Sequence, residues 1–432
     1  MRLGRAGGYF LSGRSASRGG RPFVVVGRDT RLSGDMLEAA LVAGLTSVGV
    51  DVLRAGVLPT PALAFVARMA GAAGAAMVSA SHNPVEDNGI KFFSASGYKL
   101  TVPEEAQIEA MVLAAKDALP RPTGAGVGRV DDRPDLLDGY VRHVTGLVDS
   151  LAGLRLVVDV AHGAAYHVAP LVLRALGAEI SVINAEPDGH RINVECGSTH
   201  PEGLRKAVLS AGAEAGLAFD GDADRLIAVS ASGAVLDGDV IMGIYALDAL
   251  ERGELPGGAI AATVMSNYGL DEALGQLGGR VVRTPVGDRH VLQAMLERGL
   301  AVGGEQSGHV VFLDANTTGD GLVTALKLLG VMRRTGRSLD ELARRIPRWP
   351  QVHETVRVSR KDGFDESPRI KLAVEEVKER LGEKGRVLVR PSGTEPVIRV
   401  MIEGNVEEAE LQRMARRLAG VIESELNRLV RE

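Results

Sequence analysis

Three aspartates at alternate positions give the sharpest chemical signal in the sequence, and together they form the aspartate cluster: Asp220, Asp222 and Asp224. They follow residues 217–219, a short apolar run that predicts a strand. In an extended backbone alternate side chains point to one side, so the three carboxylates are expected to converge. Because like charges repel, the cluster predicts a divalent cation, and ligands that are all oxygen favour Mg²⁺ or a similar hard ion.

The same D-x-D-x-D spacing opens a calcium-binding EF-hand, whose loop needs glycine at its sixth position and glutamate at its twelfth. Here those positions hold Arg225 and Ala231, so the EF-hand interpretation is rejected. A solvated acidic turn remains the alternative to a metal site.

A serine follows a second predicted strand, at residues 75–78. It is Ser81, within the polar stretch 79–84 whose sequence is SASHNP. Because open α/β sheets bind ligands at the carboxyl ends of their strands, Ser81 is a candidate to carry chemistry. It lacks the G-x-S-x-G elbow of a hydrolase nucleophile. Taken alone, the stretch favours an ordinary turn, since Asn83-Pro84 is a common turn pair.

Residues 390–396, RPSGTEP, predict a loop that binds an anion. Hydroxyls and arginines are good donors to phosphate, and a glycine lets backbone amides approach it. A tight hairpin is the alternative, and it explains the glycine but not the cluster of donors. The predicted phosphate-binding residues are Arg390, Ser392, Gly393, Thr394 and Arg399.

Residues 304–309, GEQSGH, form the fourth candidate loop. The carboxylate of Glu305 can accept hydrogen bonds from two neighbouring hydroxyls, as recognition of a sugar requires, and Ser307 is the second predicted sugar contact. An ordinary loop is the alternative. Together the four loops describe one site that contains a metal, a serine, a sugar reader and a phosphate cradle.

The elements that must position these loops follow a repeated order. Short strands alternate with helices, which predicts βαβ units, and the pattern restarts near residues 154 and 259. After residue 350 the order changes to strand, helix, two strands and a long helix. The predicted fold class is therefore α/β, with three tandem α/β domains of mixed sheets followed by a C-terminal α+β domain. In order, the domains carry the serine (1–130), the aspartates (131–235), the sugar reader (236–349) and the phosphate cradle (350–432).

The composition is that of a globular chain too long for one hydrophobic core, with 432 residues, 45% hydrophobic and 24% charged. A net charge of −5 gives no electrostatic reason to expect nucleic acid as a partner. No apolar run approaches the roughly 18 residues that span a membrane. The single cysteine, Cys196, cannot form an internal disulfide, so we expect a reducing, cytoplasmic location. The oligomeric state is left open, with a homodimer as one possibility.

The first 28 residues contain six arginines and no acidic side chain, a composition with some transit-peptide character. The favoured alternative is a solvated helix over residues 1–13 that leads into a loop, because no long apolar face accompanies the arginines. Ser33 is expected to cap the next helix.

The four loops resemble the signature loops of the α-D-phosphohexomutase family. They occur in the family's order across nearly the whole chain, together with NGIKFF at residues 88–93. Within the family, IKFF, GEQSGH, VGDR at 286–289 and IRVM at 398–401 most resemble the bacterial subgroup that interconverts glucosamine 6-phosphate and glucosamine 1-phosphate. The resemblance implies an isomerase with four domains around a central cleft, which takes hexosamine phosphates on the route to UDP-N-acetylglucosamine.

The resemblance also implies that Ser81 is a phosphoserine whose phosphate holds one Mg²⁺ per chain with the aspartate cluster. Because these groups carry more negative charge than one Mg²⁺ neutralises, cations must lie close, and Lys91 and Arg225 are the candidates. Lys91 or His309 is the candidate to assist proton transfer. Glucosamine 1,6-bisphosphate is the expected intermediate or activator, and the phosphate cradle must hold a phosphate in two orientations.

The start of the chain departs from the family pattern. The family opens with a strand and an F-G-T-D-G-x-R-G loop, whereas residues 1–7, MRLGRAG, resemble the helix that follows. Either the start codon is placed late or the first domain lacks a strand, which would leave the strand near residue 23 at an uncovered sheet edge. The alternatives to the glucosamine assignment are a phosphomannomutase or phosphoglucomutase, a silent sugar-phosphate-binding protein and, third, a phosphatase.

Overall fold

A computed structural model of the chain describes residues 1–14, 20–392 and 395–427. The backbone divides into two compact units. The first unit contains Met1–Met265 and Leu277–Arg345, and the second contains Ser266–Gln276 and Ile346–Glu432. Three α/β sheets belong to the first unit, and the C-terminal sheet belongs to the second.

The first sheet has five strands within the described residues. They are β1 (Phe23–Arg28), β2 (Asp51–Val57), β3 (Gly74–Val78), β4 (Ile90–Ser94) and β5 (Val130–Asp132). Their order is β4-β3-β1-β2-β5, and β4 alone of these pairs antiparallel to its neighbour. The prediction that the strand near residue 23 lies at an uncovered edge is therefore wrong, because β2 and β3 flank β1 on both sides.

Four helices accompany this sheet: α1 (Arg2–Arg14), α2 (Ser33–Thr46), α3 (Thr60–Ala70) and α4 (Val102–Leu113). The predicted N-terminal helix is present, but the prediction that it is solvated is wrong. Its glycines allow α1 to pack closely against α2, and Gly4, Ala6 and Leu11 are among the residues of α1 that are buried. A short apolar face suffices here because small residues let the two backbones approach each other.

The helix α2 begins at Ser33 itself, so the predicted cap is wrong. Leu32 precedes the helix, and no side chain caps it. The Ser33 hydroxyl instead accepts a hydrogen bond from Asn88 Nδ2 at 2.9 Å. This bond ties the start of α2 to the segment that leads into β4.

The second sheet contains β6 (Arg155–Asp159), β7 (Glu179–Ile183), β8 (Ala215–Phe219), β9 (Leu226–Ser230) and β10 (Val235–Leu236). Their order is β10-β9-β8-β6-β7, with β6 parallel to β7 and β8, and with β8-β9 and β9-β10 antiparallel. The helices of this region are α5 (Leu137–Thr145), α6 (Ala165–Ala175) and α7 (Glu202–Ala211). The turn between β8 and β9 carries the aspartate cluster.

The third sheet contains β11 (Ala259–Thr263), β12 (Arg280–Thr284), β13 (Val302–Gly304) and β14 (Val310–Phe312). Their order is β12-β11-β13-β14, and β14 pairs antiparallel to β13. The helices from here to residue 343 are α8 (Gly238–Glu251), α9 (Gly269–Gly275), α10 (Asp288–Arg298), α11 (Gly321–Thr335) and α12 (Leu339–Ala343). Of these, α9 belongs to the second unit.

The second unit is built on an antiparallel sheet of order β15-β17-β16. Its remaining elements are β15 (Gln351–Arg357), α13 (Pro368–Leu381), β16 (Gly385–Pro391), β17 (Val397–Gly404) and α14 (Glu408–Leu426). One face of α14 packs Leu411, Leu418 and Ile422 into the core of this unit. Among the described residues, no helix is both long enough and apolar enough to cross a lipid bilayer.

Gly44→Ala is expected to destabilise the contact between α1 and α2. A methyl group at Gly44 would overlap the carbonyl oxygen of Met1 and lie 2.8 Å from the nitrogen of Arg5 and from Gly4 Cα. Overpacking of this kind costs about 1–3 kcal/mol, so we expect a lower midpoint in urea unfolding followed by circular dichroism. Gly13→Ala is the matched control, because a Cβ there meets no described atom within 4 Å. Equal midpoints for the two variants would contradict the prediction.

Candidate active site

The loop after β3 presents Ser81 in an unusual backbone conformation. Its φ angle is +52°, in the left-handed region that few residues other than glycine adopt. Ser81 is 8% exposed, and its hydroxyl donates to Asp220 Oδ2 at 2.6 Å. The backbone nitrogen of Ser81 donates to Ser79 Oγ at 2.9 Å. The first domain therefore aims a serine hydroxyl at the aspartate cluster of the second.

The three aspartates converge as predicted, but the predicted reason is wrong. They lie in the turn between β8 and β9 and not along an extended strand. The nitrogen of Ala223 donates to the carbonyl oxygen of Asp220 at 3.0 Å, and Ala223 has a φ angle of +57°. One carboxylate oxygen from each aspartate lies within 4.8 Å of the others. A tight turn, and not alternation along a strand, brings the carboxylates together.

Lys91 and Thr60 hold Asp222. Lys91, on β4, places Nζ 2.6 Å from Asp222 Oδ2 and 3.8 Å from Asp224 Oδ2. Thr60, the first residue of α3, donates its hydroxyl to Asp222 Oδ2 at 2.5 Å and its backbone nitrogen to the Asp222 carbonyl at 3.0 Å. Burial alone would raise the pKa of Asp222, but the Lys91 ammonium and these hydrogen bonds outweigh burial and hold that pKa well below its usual range.

Asp220 forms no ion pair among the described residues, and burial together with the charges of Asp224 and Asp222 raises its pKa well above its usual range, although the charge of Arg225 acts in the opposite direction. In the described part of the chain, the buried oxygens Asp222 Oδ1 and Asp224 Oδ1 accept no hydrogen bond. A buried carboxylate oxygen without a partner is costly, and a divalent cation with oxygen ligands would satisfy both oxygens. The residues of the cluster therefore fit a hard divalent cation.

Two further predicted residues, Arg225 and His309, lie beside the cluster. Arg225 Nε is 3.8 Å from Asp224 Oδ1, and its backbone nitrogen donates to Asp220 Oδ1 at 3.2 Å. His309 is buried, and its Nε2 has no hydrogen-bond partner among the described residues. Burial lowers the pKa of His309, although the nearby carboxylate of Asp224 acts in the opposite direction. A neutral imidazole in this position can accept a proton.

The GEQSGH loop, residues 304–309, joins the antiparallel strands β13 and β14. Glu305 Oε1 accepts a hydrogen bond from the nitrogen of Gly287 at 3.2 Å, and Ser307 is exposed. The carbonyl oxygen of Gly308 accepts a hydrogen bond from the nitrogen of Leu226 at 3.0 Å. With a φ angle of +91°, Gly308 passes so close to Leu226 that a side chain would not fit. The loop is thereby tied to the first residue after the aspartate turn.

The predicted phosphate cradle joins β16 and β17 in the second unit. Arg390 and Arg399 occupy paired positions of these antiparallel strands. Ser392 is buried, and its Oγ accepts a hydrogen bond from the nitrogen of Glu395 at 3.3 Å. Arg399 Nη2 lies 2.7 Å from Glu395 Oε2. The two other predicted cradle residues lie outside the described residues: Gly393 and Thr394.

Thr60 and Asn193 contact the site, although the sequence interpretation misses both. Asn193 Nδ2 donates to the carbonyl oxygens of Ser81 at 2.9 Å and Asn83 at 3.4 Å. Thr60 follows β2 at the same carboxyl edge of the sheet as Ser81, so this placement could have identified it. Asn193 lies in an irregular segment between β7 and α7, where no local pattern distinguishes it.

Four family models match the chain, each describing one domain of phosphoglucomutase/phosphomannomutase. Domain I matches residues 1–118, domain II matches 138–233, domain III matches 237–349 and the C-terminal domain matches 355–421. The chain belongs to the α-D-phosphohexomutase family. The predicted family and the prediction of three α/β domains followed by a C-terminal domain are thus confirmed. The boundaries at residues 130, 235 and 349 stay predictions.

Curated relatives of this phosphohexomutase match it over nearly its full length. The phosphoglucosamine mutase of Moorella thermoacetica is 56% identical, over 96% of this chain and 94% of the relative. That of Desulforudis audaxviator is 54% identical, over 94% of this chain and 90% of the relative. Because phosphohexomutases are isomerases, the predicted enzyme class is confirmed.

Solved structures agree with the family assignment. A phosphoglucomutase/phosphomannomutase family protein from Burkholderia thailandensis has a TM-score of 0.81 and 27% identity, and the match covers 99% of this chain and 94% of that chain. The N-acetylphosphoglucosamine mutase of Aspergillus fumigatus, crystallised with GlcNAc-6P and magnesium, has a TM-score of 0.67 and 20% identity, covering 89% and 94%. At that identity the second structure shows a shared fold.

Asp222→Ala is expected to weaken Mg²⁺ binding to this phosphohexomutase by more than about 10-fold, since even groups that only hydrogen-bond to a metal ligand change affinity by this much. Isothermal titration with MgCl₂ measures the change. Asp340→Ala is the control, because that carboxylate accepts hydrogen bonds from Ser230 and Ser232 and is not part of the cluster. Wild-type Mg²⁺ affinity in Asp222→Ala would remove the cluster from metal binding.

Proposed function

We propose that this chain has phosphoglucosamine mutase activity and interconverts glucosamine 6-phosphate and glucosamine 1-phosphate, on the route to UDP-N-acetylglucosamine. Curated relatives of that name, 48–56% identical over nearly the full chain, support the choice of sugar. The observation that carries the chemistry is the hydrogen bond of 2.6 Å from Ser81 Oγ to Asp220 Oδ2. It places a serine hydroxyl directly at a buried carboxylate cluster that fits a divalent cation.

In the proposed reaction Ser81 begins as a phosphoserine. The bond between phosphorus and Ser81 Oγ breaks while a bond from phosphorus to the sugar hydroxyl oxygen forms, and the hydroxyl proton passes to the imidazole of His309. Of the two candidates, His309 is chosen because burial lowers its pKa, whereas the neighbouring aspartates raise the pKa of Lys91 and keep it protonated. The product of this step is glucosamine 1,6-bisphosphate. After the bisphosphate turns round, Ser81 Oγ takes up its other phosphoryl group, and the proton returns from His309 to the sugar oxygen that is released. Such transfer depends mainly on alignment and on stabilising charge.

The charge balance of the site supports this assignment. Mg²⁺ held by the Ser81 phosphate and the aspartate cluster would neutralise negative charge on the phosphoryl group that is transferred. Lys91 and Arg225 add positive charge beside the carboxylates. These two side chains are needed in addition to the metal, because three carboxylates and a phosphoserine carry more negative charge than one Mg²⁺ neutralises.

The remaining predicted residues are proposed to hold the part of the sugar phosphate that does not react. Glu305, which is partly exposed, and Ser307, which is exposed, are available to sugar hydroxyls. The phosphate that is not transferred is proposed to bind Arg390, Ser392, Gly393, Thr394 and Arg399. The paired arginines of β16 and β17 concentrate positive charge as such a cradle requires, and Arg399 must then exchange Glu395 for phosphate.

A cytoplasmic location is part of the proposal. Cys196 is buried, and burial raises the pKa of its thiol to about 12, which disfavours the reactive thiolate. A single buried thiol fits a reducing compartment.

Among the 6-phosphates of glucosamine, mannose and glucose, the glucosamine phosphate is expected to give the highest kcat/KM. Formation of each sugar 1-phosphate by purified protein with Mg²⁺ can be followed by phosphorus NMR. A preference for mannose or glucose phosphate of about tenfold, equivalent to about 1.4 kcal/mol in the barrier, would assign the chain to a different sugar.

Ser81→Ala is expected to abolish turnover and to remove covalent phosphate from the protein. Intact-mass measurement of protein purified from cells should show a fraction that carries one phosphoryl group, and this fraction should be absent in Ser81→Ala. Ser94→Ala, on β4, is the control, because among the described residues the Ser94 hydroxyl hydrogen-bonds to Ser96 and Tyr98 and not to the aspartate cluster. Turnover at the wild-type rate in Ser81→Ala would rule out the phosphoserine mechanism.

A further inference from the structure

Arg31 is the bulkiest of the fully buried side chains in the described ranges. A guanidinium group has five N–H donors, and here each of them has an acceptor. Arg31 Nε donates to Asp29 Oδ2 at 3.1 Å. The other four donors all reach backbone carbonyl oxygens of the serine loop, those of Ser81 (2.9 Å), Asn83 (2.7 Å), Asp87 (2.9 Å) and Pro84. One buried side chain therefore holds the loop from Ser81 to Asp87 by its backbone.

Asp29 extends this hold to the nitrogen of Ser81. Asp29 Oδ2 also accepts the hydroxyl of Ser79 at 2.7 Å, and Ser79 Oγ in turn accepts the backbone nitrogen of Ser81 at 2.9 Å. Asp29 is fully inaccessible to solvent. Both backbone polar groups of Ser81 are thus fixed by one buried ion pair and its hydrogen bonds.

A residue of the second α/β domain also hydrogen-bonds to the backbone of this loop. Asn193 Nδ2 donates to the carbonyl oxygens of Ser81 at 2.9 Å and Asn83 at 3.4 Å, the two oxygens that Arg31 Nη2 also contacts. A carbonyl oxygen has two lone pairs, so the oxygen of Ser81 is saturated. The two residues reach that oxygen from separate domains.

The backbone conformation of Ser81 explains why several hydrogen bonds hold its backbone atoms. Its φ angle of +52° is unfavourable for serine, so a free loop would relax toward negative φ and turn Oγ away from Asp220. The hydrogen bonds involve backbone atoms and not the hydroxyl. They therefore persist whether Oγ is free or phosphorylated.

We propose that Arg31 and Asn193 form a carbonyl clamp that sets the direction of Ser81 Oγ for phosphoryl transfer. The inference rests on the proposed function, because it assigns the two residues to the phosphoserine step. Each touches Ser81 only through its carbonyl oxygen, so both are positioning residues. The clamp acts on the rate of transfer to and from Ser81 and not on the binding of the sugar.

Arginine is required at position 31 because of its geometry and not only because of its charge. A lysine ammonium has three donors on a flexible stem, so it cannot reach four carbonyl oxygens and the Asp29 carboxylate together. Arg31→Lys keeps the positive charge beside Asp29 but removes the planar guanidinium with its two terminal nitrogens. It therefore separates the effect of geometry from that of charge.

Arg31→Lys is expected to lower kcat with glucosamine 6-phosphate by about 100-fold, the effect of a small misalignment of reacting groups. The KM should stay within about threefold of the wild-type value, since sugar contacts are unchanged. Glucose 1,6-bisphosphate can donate a phosphoryl group to Ser81 in the presence of Mg²⁺, and intact-mass measurement follows this phosphorylation. Its rate in Arg31→Lys should fall by a similar factor. Asn193→Ala should show a smaller loss, and the double variant should lose less than the product of the two losses, because the residues share two acceptors.

Arg5→Lys is the matched control. Arg5 is a buried arginine of the same domain. It donates hydrogen bonds to the Asp117 carboxylate and to the carbonyl oxygens of Leu119 and Pro120, and among the described residues it makes no hydrogen bond to the serine loop. The kcat of the Arg5→Lys enzyme should equal that of the wild type. If Arg31→Lys cannot be purified in folded form, Asn193→Ala decides alone, because it removes donors to the loop without touching the buried ion pair.

A folded Arg31→Lys enzyme with kcat within about threefold of wild type, or with a raised KM as its main change, would overturn the clamp. An equal loss in Arg5→Lys would do the same. These outcomes are separate from failure of the proposed function, in which wild-type protein gains no phosphate on Ser81 and the clamp falls with it. If wild-type Ser81 is phosphorylated but glucosamine 6-phosphate is not turned over, only the choice of sugar is wrong, and the phosphorylation rates still test the clamp.

Discussion

Burial of like charge in a small volume is the constraint on which the rest of this structure depends. Asp220 and Asp222 are inaccessible to solvent, and Asp224 is nearly so. Carboxylates in such a place are stable only when cations or hydrogen bonds compensate them. Lys91 and Thr60 do this for Asp222, and both come from the first domain. The first sheet must therefore stand directly against the aspartate turn of the second, and the same arrangement brings the serine to the carboxylates.

This arrangement relies on close backbone contact and on strained backbone angles. A Cβ at Gly221 would lie 2.6 Å from the carbonyl oxygen of Ser81, so a side chain there would push the serine loop away from the aspartates. Ser81, Ala223 and Asn193 all have positive φ angles, each at a cost of about 1–3 kcal/mol. Hydrogen bonds from Arg31 in the first domain and Asn193 in the second hold the backbone of Ser81 in this conformation.

Where the sequence misled, the missing information lay in distant segments. The composition of α1 predicts a solvated helix, yet close packing on α2 through Gly4 and Gly44 buries it. β1 comes first among the described strands but lies at the centre of its sheet, because β2 and β3 pair with it from later in the chain. Ser33 has the residue type of a helix cap, but Asn88 uses its hydroxyl. Local propensity could not predict these outcomes, since each depends on which later segment of the chain packs against or hydrogen-bonds to the element.

The sequence by itself determined the family, through the resemblance of its four loops to the family's signature loops, because the type and order of residues along a chain do not depend on tertiary contacts. It also placed Ser81 and the aspartate cluster at the ends of strands. Only the tertiary structure decided that the cluster forms through a turn and that Arg31 and Asn193 hold the serine loop. The bond from Asn193 to Ser81 spans 112 residues of sequence and that from Arg31 spans 50. Both residues act through backbone oxygens, which every residue possesses, so no residue type in the loop could reveal its partners.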